Sequence, residues 1–179
     1  MSVKNNAERM LLDAASFGPF IHAERNLTYS DLPYGVHLQM VVNFANYFRP
    51  LLNMTQEDFY DVLAACWLHD VIEDCGVNFS TVSQRFNGVV ADYVWSVTGY
   101  GRNRIERNAC IVPKVQGKIV PTFIKLCDKM ANMTFSKFVD PGSRMYGKYV
   151  TEWKEFKGKY FIIELKAMFD YVDKLIDLT

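Results

Sequence analysis

The amino-acid sequence predicts an all-α fold of eight or nine helices. Apolar residues recur at spacings of three and four in one segment after another, which is typical of helices with one buried face. No segment alternates convincingly between apolar and polar residues as a half-buried strand does, and no internal repeat is visible. Apolar residues make up 50% of the 179 and charged residues 22%, so we expect one domain over residues 1–179.

The first three helices are delimited by their apolar spacing and by the residues that begin and end them. We expect the first over residues 7–23. The second is expected to begin at Pro33, which suits a first helical position, and to end near Phe48. Thr55 is the expected N-cap of the third helix, which is strongly apolar and continues to about Cys75.

Glycines and prolines divide the remaining chain into shorter helices. We expect Ser80 to cap a short helix that ends near Phe86. Further helices are expected over residues 89–97, 102–111, 122–138, 145–156 and 160–178. The last segment carries an apolar stripe that either closes the domain or pairs with a second chain. We favour closure, and a homo-oligomer is the alternative.

Charge and apolar patterning exclude several classes of protein. The chain has 20 Lys and Arg against 20 Asp and Glu, so a strongly basic nucleic-acid binder is not expected. The apolar runs fall short of the roughly 18 residues that suggest a membrane span, and the polar amino end has no signal-peptide pattern. The four cysteines form no C-x-x-C pair and are expected to be buried free thiols. We therefore expect a cytoplasmic protein with neither a nucleic acid nor a membrane as partner.

Four ionisable residues crowd the end of the expected third helix, namely His69, Asp70, Glu73 and Asp74. Helical spacing would place them on one contiguous surface. The neighbouring apolar residues argue against a fully exposed turn, so three carboxylates and an imidazole would be left close together without their hydration. A bound cation would resolve this conflict, although an exposed acidic helix end is the ordinary interpretation of an isolated His-Asp pair.

Two further polar residues stand within apolar helical segments. They are His37 in the second helix and Asp128 in the segment 122–138. Each one taken alone is more often a hydrogen-bonded core residue than a metal ligand. Their occurrence in the same chain as the His69-Asp70 pair favours a metal site more than either residue does alone.

The order of these residues resembles the HD phosphohydrolase superfamily. More narrowly, it resembles the small alarmone hydrolases, guanosine polyphosphate 3'-pyrophosphohydrolases related to the Rel and SpoT proteins. A stretch from Thr98 to Asn108 that is rich in Gly and Arg adds to this resemblance. The motifs that carry it are Pro33-Tyr34-x-x-His37, Leu68-His69-Asp70-x-x-Glu73-Asp74 and Lys125-Leu126-x-Asp128-Lys129-x-x-Asn132.

The resemblance implies a role for each matching position. One divalent metal ion, with Mn²⁺ usual in these hydrolases, would be held by His37, His69, Asp70 and Asp128. Glu73 and Asp74 would be the catalytic pair, without an indication of which one takes the proton. The residues implied or considered as substrate contacts are Arg25, Tyr34, Arg102, Arg104, Arg107, Lys125 and Asn132. Packing is an equal alternative for Tyr34, a solvated helix face is the alternative for the arginines, and Lys129 is expected to be exposed.

The expected function is hydrolysis of a small nucleotide, most specifically (p)ppGpp to GDP or GTP and pyrophosphate, as in the stringent response. Two features depart from the family pattern where the guanine base should bind, namely Arg25-Asn26 and Asp31-Leu32. Another nucleotide phosphohydrolase, such as a dNTP hydrolase or an NADPH phosphatase, is therefore an alternative. A nucleotide sensor with little turnover is a third hypothesis.

Overall fold

The predicted all-α class is confirmed by a computed structural model, which describes residues 3–177. Nine α-helices occur in this part of the chain, as expected. Their bounds are α1 Val3–Glu24, α2 Gly35–Phe48, α3 Gln56–Leu68, α4 Phe79–Arg85, α5 Gly88–Val97, α6 Arg104–Val115, α7 Ile119–Phe138, α8 Met145–Tyr160 and α9 Lys166–Asp177. Two single turns of 3₁₀ helix lie at Arg49–Leu51 and Ile163–Leu165.

A short antiparallel hairpin joins α1 to α2, where the sequence analysis expects no strand. Its strands are β1 (Thr28–Tyr29) and β2 (Leu32–Pro33), with Tyr29 opposite Leu32. Strands of two residues are too short to show an alternating pattern, which explains why the sequence does not reveal them. Pro33 therefore lies in β2, and α2 begins at Gly35 rather than at Pro33.

Side-chain caps begin four of the helices. Thr55 accepts a hydrogen bond from the backbone N–H of Asp58 at 3.1 Å, which confirms it as the N-cap of α3. Asn78 caps α4 through the N–H of Thr81 at 2.8 Å, so the expected cap at Ser80 is wrong. Asparagine and serine are both good caps, and the helix begins at the earlier one because its side chain reaches the free N–H of the third helical residue.

The core is organised around α7, whose buried residues include Phe123, Leu126 and Met130. Helices α2 and α8 pack extensively against α7, while α1 packs along α3. Met168 and Phe169 of α9 are fully buried against this core, so the apolar stripe of the last helix closes the fold within the chain. The expected end of that helix at Leu178 lies outside the described residues.

Several helix boundaries differ from those expected, among them both ends of α1, the end of α8 and the start of α9. The differences in α3, α6 and α7 have a visible structural setting. Helix α3 ends at Leu68, and residues 69–75 form turns rather than a helix continuing to Cys75. Pro121 lies in the first turn of α7, where its missing N–H leaves no bond unmade. Pro113 lies inside α6, close to the end of that helix, where only the carbonyl of the exposed Ala109 loses a partner. Both prolines were expected to lie in a loop between helices, but each lies within a helix.

No helix within residues 3–177 combines the length and the apolar character needed to cross a membrane.

Candidate active site

Four buried or half-buried side chains converge from three helices. His37 comes from α2 and Asp128 from α7, while His69 and Asp70 follow directly after α3. The Nε2 atoms of His37 and His69 are 3.2 Å apart, and Asp70 Oδ2 is 2.9 Å from His69 Nε2. Asp128 Oδ1 lies 3.4 Å from His37 Nε2. The structure therefore brings together all four residues that the sequence analysis selects as metal ligands.

The end of α3 places two of these side chains side by side. The N–H of Val71 bonds to the carbonyl of Leu68 at 3.0 Å, and the N–H of Asp74 bonds to the carbonyl of Asp70 at 2.8 Å. These tight turns replace the helix expected from the sequence. Consecutive residues of a helix point about 100° apart, whereas here His69 and Asp70 direct their side chains to one point.

The electrostatics of this group favour a bound cation. His69 Nδ1 lies 2.9 Å from the carbonyl of Cys66, so a proton is assigned there and Nε2 is the ring nitrogen that faces the other groups. Burial alone would lower the pKa of His69, but the Asp70 and Asp128 carboxylates outweigh it and raise the pKa to about 9. Donor atoms of His37, His69 and Asp70 all lie within 4.8 Å of one another, so the group can hold a metal ion.

A layer of aromatic residues lies behind the convergent group. Tyr34 donates its hydroxyl to Asp70 Oδ2 at 2.7 Å and lies 3.3 Å from Asp74 Oδ2. His22, the third histidine of the chain, is buried and stacks on the Tyr34 ring at 4.2 Å between centroids. Tyr29 stacks on the His37 ring at 4.7 Å. Tyr34 thus packs, as one of its two alternatives expects, and it also holds the Asp70 carboxylate. The alternative of a substrate contact stays a prediction.

Glu73 and Asp74 have different surroundings. Glu73 accepts a hydrogen bond from the N–H of Gly99 at 2.7 Å on one oxygen and from Arg107 at 3.1 Å on the other. Burial, together with the charges of Asp70 and Glu73, raises the pKa of Asp74 to about 6. Both oxygens of Glu73 are therefore committed to the protein, whereas Asp74 combines partial burial with a raised proton affinity.

A cavity of about 280 Å³ opens over this group. Five of the seven expected substrate contacts line it, namely Tyr34, Arg104, Arg107, Lys125 and Asn132. The other two, Arg25 and Arg102, are exposed and are not among the lining residues. Arg102 instead donates its backbone N–H to Glu106 at 2.7 Å.

Lys129 is buried, contrary to the expected exposure. Only 9% of its surface is accessible, because its ammonium lies over the rings of Tyr149 and Phe156 at 4.9 and 5.3 Å. Burial lowers the pKa of Lys129 to about 8. The error has a simple cause: the sequence position next to Asp128 does not reveal that α8 covers this side of α7.

Helix α8 supplies a wall of the cavity that sequence reasoning missed. Its Glu152 receives two hydrogen bonds from Arg104, at 2.9 and 2.7 Å. The other α8 residues that line the cavity are Tyr149, Glu155, Phe156, Lys159 and Tyr160. Aromatic residues at helical spacing in this segment are a signal for a buried face, but nothing in that spacing distinguishes a cavity wall from a packed core.

Comparison with known proteins identifies a structural relative. No family model and no curated protein sequence matches the chain. Among solved structures, a metazoan ortholog of SpoT that hydrolyses ppGpp and plays a role in starvation responses matches with a TM-score of 0.65 and 21% sequence identity. The match covers 95% of this chain and 97% of that one. The chain has the fold of this SpoT ortholog. The resemblance seen in the motifs is thereby confirmed for the fold.

Proposed function

We propose that this protein is a metal-dependent nucleotide phosphohydrolase, and specifically a (p)ppGpp 3'-pyrophosphohydrolase. The observation that carries the proposal is the convergence of His37, His69, Asp70 and Asp128, all but His69 lining a cavity that arginine and lysine side chains also line. The shared fold with a ppGpp-hydrolysing protein supports the choice of substrate.

One divalent ion, for which we propose Mn²⁺, fits the donor set of two imidazole nitrogens and two carboxylate oxygens. Its contribution when bound is to neutralise charge on the phosphoryl oxygens and to favour deprotonation of water. The protein's part is to hold the ligands in position. The carbonyl of Cys66 holds His69 through a hydrogen bond of 2.9 Å. The hydroxyl of Tyr34 holds Asp70 through one of 2.7 Å.

Asp74 is the proposed general base. A carboxylate whose pKa is about 6 is mostly ionised at neutral pH and yet more basic than an ordinary aspartate. In the proposed reaction, Asp74 takes a proton from water as the water oxygen forms a bond to the phosphorus attached to the 3' oxygen. The bond between that phosphorus and the 3' oxygen breaks, the proton that Asp74 accepted passes to the leaving 3' oxygen directly or through water, and pyrophosphate departs.

Glu73 has a different proposed part in catalysis. Its two hydrogen-bonded oxygens hold Gly99 and Arg107 at the edge of the cavity. Arg107 is 40% exposed and lines the cavity, so its guanidinium can bind a phosphate group while Glu73 keeps it oriented. Lys125 and Arg104 supply further positive charge on the lining.

Hydrolysis of another nucleotide is the second candidate. The observation that favours it is the position of Arg25, which is exposed and does not line the cavity. A guanine site that depends on this residue would then be incomplete, as the departures from the family sequence pattern suggest. A dNTP and NADPH would use the same metal centre with a different scissile bond.

The experiment uses metal-stripped protein, added Mn²⁺ and a panel of ppGpp, GTP, dNTPs and NADPH, with products separated by ion exchange. We expect GDP and pyrophosphate from ppGpp only when Mn²⁺ is present. Asp70→Ala and Asp128→Ala should lose both bound metal and activity. Asp74→Asn and Glu73→Gln should lose turnover and retain metal. In Asp74→Asn, which removes the proposed base, we expect turnover to fall by about 10²–10⁴-fold. Consumption of another nucleotide would refute the substrate, and binding without turnover would indicate a sensor.

A further inference from the structure

Asn132 is placed so that every hydrogen-bonding group of its amide is already used within the protein. Its Nδ2 donates to the Asp128 carboxylate oxygen Oδ1 at 2.5 Å and to the Asp128 carbonyl at 3.1 Å. Its Oδ1 accepts from the hydroxyl of Tyr29 at 2.9 Å and lies 3.4 Å from the hydroxyl of Tyr149. A side-chain amide has two N–H donors and two acceptor lone pairs, so none remains for a substrate.

The oxygen that Asn132 holds is the one that faces the histidines. Asp128 Oδ1 lies 3.4 Å from His37 Nε2 and 3.8 Å from His69 Nε2. The other oxygen, Oδ2, is held separately by Lys125 at 3.0 Å. Asn132 therefore acts on the orientation of the carboxylate within the proposed metal centre.

Tyr29 completes this arrangement from the hairpin between α1 and α2. Its hydroxyl donates to the Asn132 oxygen, while the Asp128 carboxylate and carbonyl, which can only accept, take the N–H groups and fix which way the amide points. The same ring stacks on His37 at 4.7 Å and packs on Phe135 at 4.5 Å. Tyr29 is thus in contact with one proposed ligand and linked to another through Asn132.

We propose that Asn132, with Tyr29 behind it, is a positioning residue that orients Asp128 for the metal ion, and that Asn132 does not contact the nucleotide. The inference rests on the metal centre of the proposed function. It replaces the substrate-contact role that the sequence resemblance implies for Asn132. Removing a hydrogen-bond partner of a metal ligand commonly changes metal affinity or activity by about 10–100-fold.

The test is a calorimetric titration of the metal-stripped full chain with Mn²⁺ in the absence of nucleotide. We expect Asn132→Ala to weaken Mn²⁺ binding by about 10–100-fold. Tyr29→Phe removes only the hydroxyl and keeps the ring stacked on His37, so a smaller but measurable weakening is expected even if the alanine variant folds poorly. The matched control is Asn108→Ala, because Asn108 is exposed and lines the same cavity. Its Mn²⁺ affinity should equal that of the wild type.

A second readout separates positioning from substrate contact. At saturating Mn²⁺, Asn132→Ala should have a KM for the nucleotide within about twofold of the wild type, since its defect lies in metal binding. Unchanged Mn²⁺ affinity in both variants, or a KM raised at saturating Mn²⁺, would overturn the inference. So would a wild-type protein that binds no Mn²⁺. Mn²⁺ binding by a wild type that hydrolyses no nucleotide would instead refute the proposed function, and the affinities of the variants would still decide the role of Asn132.

Discussion

Gly18 lies where α1 meets the carboxyl end of α3, next to the turn that carries His69 and Asp70. A Cβ atom at this position would be 2.3 Å from the carbonyl oxygen of Trp67 and 3.3 Å from Leu38 Cδ1. Cβ atoms essentially never approach another heavy atom within 3.0 Å, so in Gly18→Ala the two helices must separate by at least about 0.7 Å. Because the obstacle is a backbone carbonyl, no side-chain rotation can relieve the clash.

Two opposing effects set the size of the change. Alanine is favoured over glycine inside a helix by about 1 kcal/mol. Overfilling a packed interior typically costs about 1–3 kcal/mol, and a rigid carbonyl places this site in the upper part of that range. We therefore expect Gly18→Ala to lower the free energy of unfolding by about 1–2 kcal/mol.

Gly158 provides the matched control for this prediction. It lies near the end of α8, and no heavy atom comes within 4 Å of a Cβ built on it. Gly158→Ala should therefore raise the free energy of unfolding by about 0.5–1 kcal/mol. Urea unfolding of both variants, followed by circular dichroism, measures the difference. A Gly18→Ala protein as stable as Gly158→Ala would refute the close approach of α1 to α3.

Three further predictions follow from the caps, the charges and the metal centre. Asn78→Ala should lower the free energy of unfolding by about 1 kcal/mol, more than Ser80→Ala, in the same urea assay, since Asn78 caps α4. Burial raises the pKa of Asp173, but hydrogen bonds from Lys157 and Trp153 outweigh it and lower the pKa below 3.8. The ionised carboxylate therefore stabilises the fold above about pH 4, and the melting-temperature gap between wild type and Asp173→Asn should shrink as the pH falls toward 3; a constant gap would contradict this. Mn²⁺ at 100 times its Kd should stabilise the protein by about 2.7 kcal/mol, a rise in melting temperature of about 5–10 °C that EDTA reverses. Asp70→Ala should show no such rise.

The amino-acid sequence by itself determined the all-α class and the set of convergent residues. Helical periodicity is a local property, and each helix buries its apolar face wherever that face meets the core. The four proposed ligand residues drew attention because histidine and aspartate are costly in apolar helical segments unless something binds or pairs with them, and the family resemblance implied them as one set. The burial of His37 and His69 and the short distances to Asp70 and Asp128 agree with that reasoning.

Tertiary structure alone decided the details that govern the site. The spacing of apolar residues continues past Leu68, but the helix ends there, and the next two residues meet partners from α2 and α7: Asp70 lies near His37, and His69 near Asp128. The burial of Lys129 depends on α8, which packs over α7 from a later part of the chain.

The role of Asn132 shows the same division. Its spacing from Asp128 on one helix is visible in the sequence and places the two side chains on one face. Its partner Tyr29 is 103 residues away and lies in a hairpin too short to be predicted. A hydrogen bond of that kind depends on how distant segments pack, and sequence spacing carries no information about it.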